Sequence, residues 1–306
     1  MIRLRHLAGL AVGIGMIAAC GGGDAASNTT TSEATTTSLP ATTSSVPVDP
    51  TTTSSFPGVS GETLLVVGDW GTGTAPQGAV AGAMQRFADE HDVAAILTTG
   101  DNLLSDDAEF IMHPYGWVEE ADLEWWITWG NHDVETESRI EVVEETFDDP
   151  PRWTILHWGD VDIVILDSNQ ADSEDQAAFL DAALADSSRP TIVVTHHPPY
   201  SCSTHGDTQG VGEEIVTAFD DDVFLMLSGH DHAFQRFESE QVTFIVSGGG
   251  GQQLYPIEEC PADHPELLAG EELHHFVALT QDGGSIHVEA IDITGKVFDQ
   301  TTLALD

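Results

Sequence analysis

The sequence predicts an α/β sandwich in which sheets pack on each other and helices cover the outside. Two observations carry that expectation. Apolar runs alternate with helical patterns as far as about residue 219, and the chain then continues in strands. A third observation places the chemistry: polar residues of interest collect where apolar runs stop, the edge at which open α/β architectures build sites.

"TLLVVGD" (Thr63 to Asp69) is a short strand, and "GAVAGAMQRFADEH" (Gly78 to His91) follows as an amphipathic helix. "VAAILTTGD" is the next strand. "LEWWITWGNHD" is a third, its tryptophans favouring a strand. "RWTILHWGDVDIVILDSN" reads as a hairpin turning at Gly159-Asp160. A helix is expected from about Ser173 to Ser187, before "RPTIVVTHHPP", and another from Gly212 to Phe219, before "VFLMLSGHDH". "VTFIVSGGGG" and the segment from His274 onward supply further strands.

Before this domain, residues 1–19 read as a lipoprotein signal peptide: Arg3 and Arg5, an apolar run, then small residues. "IAAC" resembles the lipobox of bacterial lipoproteins, which implies cleavage before Cys20 and lipid on its sulfur; ordinary secretion is the alternative. Residues 20–60 are rich in Thr and Ser and cannot offset the entropy of ordering. They read as a disordered tether with an r.m.s. reach on the order of 35 Å. Residues 61–306 then form the domain, placed at the extracellular face of a bacterial membrane, or secreted.

Composition narrows the partners. Asp and Glu number 52 against 8 Lys and Arg, a formal net charge of −44. Such a field repels nucleic acid, so an anionic small molecule needs a local positive charge to be held. With Cys20 lipidated, Cys202 and Cys260 remain as candidate partners of a disulfide in an oxidising compartment.

Five strand ends supply the candidates: "GDWG" (Asp69), "GDN" (Asp101), "GNHD" (Asn131, His132), "THHPP" (His196, His197) and "GHDH" (His230, His232). Carboxylates, an amide and imidazoles are the donors that suit two adjacent divalent ions such as Fe, Mn or Zn. Such a pair clamps a phosphoryl group, activates water and supplies the missing positive charge. If "GHDH" is extended, residues two apart share a face, so His230 and His232 both reach one pocket while Asp231 turns away.

In this order the motifs resemble the calcineurin-like metallophosphoesterases, and among them the purple acid phosphatases of the small, tartrate-resistant type. The resemblance spans most of Leu64 to Leu303 and implies a four-layer sandwich, two mixed β-sheets with helices on the outer faces. It also implies phosphomonoester hydrolysis at a dinuclear centre. Carried over, Asp69 binds the first metal, Asp101 bridges, Asn131, His196 and His230 hold the second, and His232 returns to the first. Asn131 also meets substrate, and His132 matches the histidine placed over the leaving group. His205, nine residues beyond His196, lines the same pocket, while for His197 stacking or hydrogen bonding beside a ligand is the expected role.

Two positions depart from the pattern. Gly71 stands where the wider superfamily often has histidine, and Leu104 stands where purple acid phosphatases place a tyrosine. A thinner first site and a colourless protein are therefore expected. A phosphodiesterase on the same scaffold, and a non-catalytic lipoprotein that binds metal or phosphate, stand as alternatives.

Overall fold

Strands form at the short apolar runs, and the central ones are covered on both faces. The computed structural model describes residues 62–305, except 187, 188, 220, 240 and 263. The expected leader (1–19), tether (20–60) and lipidated Cys20 lie outside the described residues. The chain opens with β1 (Thr63–Val67), α1 (Ala75–Ala88), β2 (Val93–Thr98), α2 (Ala108–Met112), α3 (Gly116–Glu120), β3 (Glu124–Trp126) and α4 (Glu137–Phe147). Next come β4 (Thr154–Trp158), β5 (Val161–Ile165), α5 (Glu174–Asp186), β6 (Thr191–Val194) and β7 (Val223–Ser228). The remaining strands are β8 (Phe234–Ser239), β9 (Val242–Ser247), β10 (Glu266–Glu271), β11 (His275–Gln281), β12 (Ser285–Asp292) and β13 (Val297–Ala304).

Two mixed sheets result, of six strands in the order β13-β12-β11-β1-β2-β3 and seven in the order β10-β8-β9-β7-β6-β5-β4. β1, β2 and β3 run parallel, and so do β5, β6, β7 and β9. Side-chain alternation divides the strand residues between three cores. Leu64 and Val66 of β1 share the inter-sheet core with Ile192 and Val194 of β6 and Leu225 and Leu227 of β7. Leu65 and Val67 pack instead with Val80 and Met84 of α1. Val193 and Met226 pack with Leu180 and Leu184 of α5. Helix, sheet, sheet, helix is the four-layer sandwich expected, and its central strands read as unbroken apolar runs because both faces are buried.

Three local expectations differ. The segment read as a helix over Gly212–Phe219 is a π-helical turn, Val211–Ile215, followed by a 3-10 turn, Val216–Ala218. The wider turn lets Val211 and Ile215 both enter the outer core of the seven-stranded sheet. The first helix begins earlier than Gly78, because Pro76 in its first turn suits a helix start. The third strand stops at Trp126, after which Thr128 N–H donates to Thr98 Oγ1 at 3.0 Å and the chain leaves as a loop.

Candidate metal centre

β1, β2 and β3 deliver Asp69, Asp101 and Asn131 from the six-stranded sheet, while β6 and β7 deliver His196, His230 and His232 from the other. Asp69, Asp101 and His196 are buried, each with a ligand atom within 4.8 Å of the other two. Asn131 Oδ1 lies 3.0 Å from both His196 Nε2 and His230 Nδ1, and those nitrogens are 3.3 Å apart. His232 Nε2 lies 3.4 Å from Asp69 Oδ1, and His196 Nε2 lies 3.5 Å from Asp101 Oδ1. The six side chains therefore form one continuous cluster.

Backbone conformation brings them together. Asp69, Asp101 and His230 have φ of 55°, 52° and 69°, a left-handed region that aspartate tolerates and histidine visits less often. The extended reading of "GHDH" is corrected here: the chain turns at His230, whose N–H donates to Asp69 Oδ2 at 2.9 Å. The turn, not strand alternation, carries both imidazoles to the centre. At Gly100 (φ 95°), a Cβ would fall 2.4 Å from His196 Nδ1, so glycine is what allows the histidine to close over Asp101.

Do these groups fit a cation? His196 Nδ1 sits 2.9 Å from Thr99 O and His232 Nδ1 sits 2.8 Å from Gln253 O, so in each neutral ring Nδ1 carries the proton and Nε2 a lone pair. His196 Nε2 then faces Asn131 Oδ1, and His232 Nε2 faces Asp69 Oδ1, acceptor against acceptor. Asp69 Oδ1 is buried and accepts no hydrogen bond. Inward-facing lone pairs at about coordination span are what divalent cations require.

Without a cation, and despite burial, the facing carboxylates favour a proton on both His196 and His232, the positive charge that a bound ion would replace. Burial raises the Asp69 carboxyl, with His232 opposing it. Burial opposes charge on His196, yet Asp101 and Asp69 outweigh it and raise that imidazole overall. Two carboxylates share a dry pocket, and a bound cation would let both ionise. His230 is pushed down to about 2 by burial and its histidine neighbours, leaving it the neutral imidazole a metal needs.

Around this cluster, His132 donates its backbone N–H to Asp101 Oδ1 at 2.9 Å, while its half-exposed ring has Nδ1 3.4 Å from Glu135 Oε2. The His205 ring lies 4.3 Å from the His230 ring. The His197 ring lies edge-to-face with His196 at 4.9 Å and tilted against His230 at 4.5 Å, and its Nδ1 is 2.8 Å from Ser168 Oγ, so hydrogen bonding rather than stacking is its role.

Three contributors are not among the sequence-derived candidates. Asp133 accepts from Gly130 N–H and Asn102 N–H at 2.8 and 2.9 Å, pinning the loops that carry Asn131 and Asp101. Burial, then Asp101, pushes its carboxyl up to about 7. Asp231, buried, accepts from Ser201 Oγ and His205 N–H. Both lie inside the quoted motifs, which was their only signal. Tyr255, which no motif marks, stacks on His232 with ring centroids 4.1 Å apart.

Position 71 admits no side chain, since a Cβ there would fall 1.8 Å from Asn102 O. Leu104 N–H donates to Gly71 O at 2.8 Å, and its side chain offers no ligand. Cys202 and Cys260 are bonded to each other, with S–S 1.99 Å.

The fold and the site together define a phosphoesterase architecture, and comparison with known proteins agrees. The family model for calcineurin-like phosphoesterases matches residues 62–234, and the chain belongs to that family. It is a hydrolase of phosphoric esters, and the family implies divalent metal cofactors. Purple acid phosphatase 4 of Arabidopsis thaliana is 26% identical over 232 residues, 62% of this chain and 68% of the relative. A "probable cyclic nucleotide phosphodiesterase" of a Synechococcus strain is 34% identical over 171 residues, 50% of this chain and 60% of the relative. In fold, the chain is similar to a purple acid phosphatase from yellow lupin seeds, with TM-score 0.68 and 17% identity over 81% of this chain and 54% of that one.

Proposed function

We propose that this protein hydrolyses phosphomonoesters at a dinuclear centre held by Asp69, Asp101, Asn131, His196, His230 and His232. The observation that carries the reading is the pair of acceptor-against-acceptor contacts, His196 Nε2 on Asn131 Oδ1 and His232 Nε2 on Asp69 Oδ1. Asp69 with His232, and Asn131 with His196 and His230, form two donor groups, and Asp101 is the carboxylate shared between them. When bound, the ions supply positive charge to phosphoryl oxygens and acidify water for in-line attack. Mn, Zn or Fe(II) suits this mixed oxygen and nitrogen set.

The chain's own groups do the rest. With His132 Nδ1 facing Glu135, Nε2 is the nitrogen left to meet the departing oxygen and give it a proton. His205, its ring 4.3 Å from that of His230, binds phosphate beside the cluster. Asp133 and Asp231 hold the loops in register.

A phosphodiesterase is the second reading, favoured by the 34% identical Synechococcus relative. Elemental analysis together with rates on p-nitrophenyl phosphate and its bis-ester decides among the readings. Two metals and faster monoester turnover are expected. One metal without turnover would mean a binder.

We place the domain at the outer cell surface, tethered through Cys20, on the strength of "IAAC" and the Thr/Ser-rich stretch after it. Cys20→Ser should move the protein from the membrane fraction to the medium.

A further inference from the structure

A second set of metal-suited donors lies apart from the strand-end cluster. A donor atom from each of Cys202, Cys260 and His264 falls within 4.8 Å of the other two. Cys202 is buried, and the His264 side chain is 4% exposed. His264 Nε2 sits 2.7 Å from Asp207 Oδ2, so the proton belongs on Nε2 and the Nδ1 lone pair points at Cys202 Sγ, 3.6 Å away. A disulfide sulfur has no hydrogen to give that lone pair. Asp207 is fixed in turn, its Oδ1 accepting the Ser201 N–H at 2.9 Å.

Carboxylate, imidazole and open nitrogen in line is the arrangement that orients a metal-binding histidine. Two thiolates and one imidazole suit a thiophilic ion such as zinc, with water completing a tetrahedron.

We propose that Cys202, Cys260 and His264 form a thiol-gated zinc-type site, closed by the disulfide and opened by reduction. An external dithiol delivers two electrons and two protons: the S–S bond breaks to two thiols while the dithiol becomes a disulfide. A divalent ion then binds both sulfurs and His264 Nδ1, and the two thiol protons leave to solvent. The ion replaces the S–S bond as the link between the segment entering His205 and the segment following Tyr255, so the site mouth stays cross-linked in either redox state.

The test uses the full chain carrying Cys20→Ser, with its strand-end centre loaded, reduced anaerobically with dithiothreitol and desalted. Cobalt(II) is the probe, because the strand-end centre has no sulfur donor and gives no thiolate-to-cobalt absorption. Reduced protein should develop that near-ultraviolet band, saturating with one cobalt, and oxidised protein should not. His264→Ala and Asp207→Asn should each weaken cobalt binding by about ten-fold or more. Tryptophan near-ultraviolet circular dichroism tracks the fold in the same samples. The proposal is overturned by no band on reduction, loss of the native signal, a band that survives in urea, or a band indifferent to His264→Ala.

Discussion

The backbone N–H of His205 donates to Asp231 Oδ1 at 3.0 Å, while Ser201 Oγ donates to Asp231 Oδ2 at 2.5 Å. One buried carboxylate, placed between His230 and His232 in sequence, thus holds the loop that brings His205 to the site. An amide cannot accept at both atoms. Asp231→Asn should lower kcat roughly ten-fold, the scale of losing a hydrogen bond to a charged group. Metal content should stay at the wild-type level, so kinetics and elemental analysis on one sample check the assignment.

Asp101→Ala and His132→Ala should separate the two kinds of site residue. Asp101 sits within reach of both Asp69 and His196, so its loss should remove metal and activity together. His132 touches the cluster through its backbone, which alanine retains. Its loss should cut kcat by about 10²-fold with the metals still bound. Loss of metal in His132→Ala would make that residue a ligand and refute the role given to it.

Gly100→Ala should be costly and Gly78→Ala harmless. At Gly100 a Cβ meets His196 Nδ1 at 2.4 Å in a left-handed backbone; at Gly78, inside α1, it meets nothing within 4 Å. The first change combines about 1–2 kcal/mol of backbone strain with about 1–3 kcal/mol of overpacking. Tm should fall by about 10 °C. The second should raise stability by up to about 1 kcal/mol. Equal Tm values for the two variants would contradict the packing described.

His275 makes a pH prediction. It is buried, with Nε2 3.1 Å from Ser247 Oγ, and burial pushes its imidazole down to about 4 from 6.5. Between those values the unfolded chain binds a proton that the folded protein refuses, so stability rises with pH across this window and is lost on acidification. Wild type should lose about 3 kcal/mol more than His275→Gln between pH 7 and pH 4. Urea midpoints at both pH values read the difference, and parallel curves would contradict it.

The protein should be colourless as isolated. Its three tyrosines are Tyr115, Tyr200 and Tyr255, and position 104 is leucine. Tyr255, stacked on His232, has its phenol raised by burial and by Asp69, so it resists ionisation to the phenolate that would colour an iron site. A purple preparation would show the ligand set to be incomplete.

The central strands are legible because each is an apolar run buried on two faces, as at Leu64 to Val67. The helix α4 is harder to read: Ile140, Val143 and Phe147 recur at helical spacing and pack on the core, but only Val143 is fully buried and glutamates crowd the stripe, while Thr136 capping Arg139 N–H marks its start. β8 and β10 were missed for a related reason, since "FQRFES" and "ELLAGE" mix charge with apolar residues at a sheet margin. The six clustered donors were legible from motif order. The left-handed turn at His230 was not, because no glycine sits there to signal it. Tyr255 stayed invisible because its importance lies in a ring contact with His232, a residue distant in sequence.

The oxygen donors hang from one sheet and the nitrogen donors from the other, so an ion seated among them is also a clasp across the sandwich. Neither layer can retain it alone, and prising the layers apart must release it. A chelator should therefore act as a gentle denaturant, lowering Tm by an amount that tracks free-ion concentration. Hydrogen exchange should then quicken along the seam between the sheets before it quickens in the outer helices.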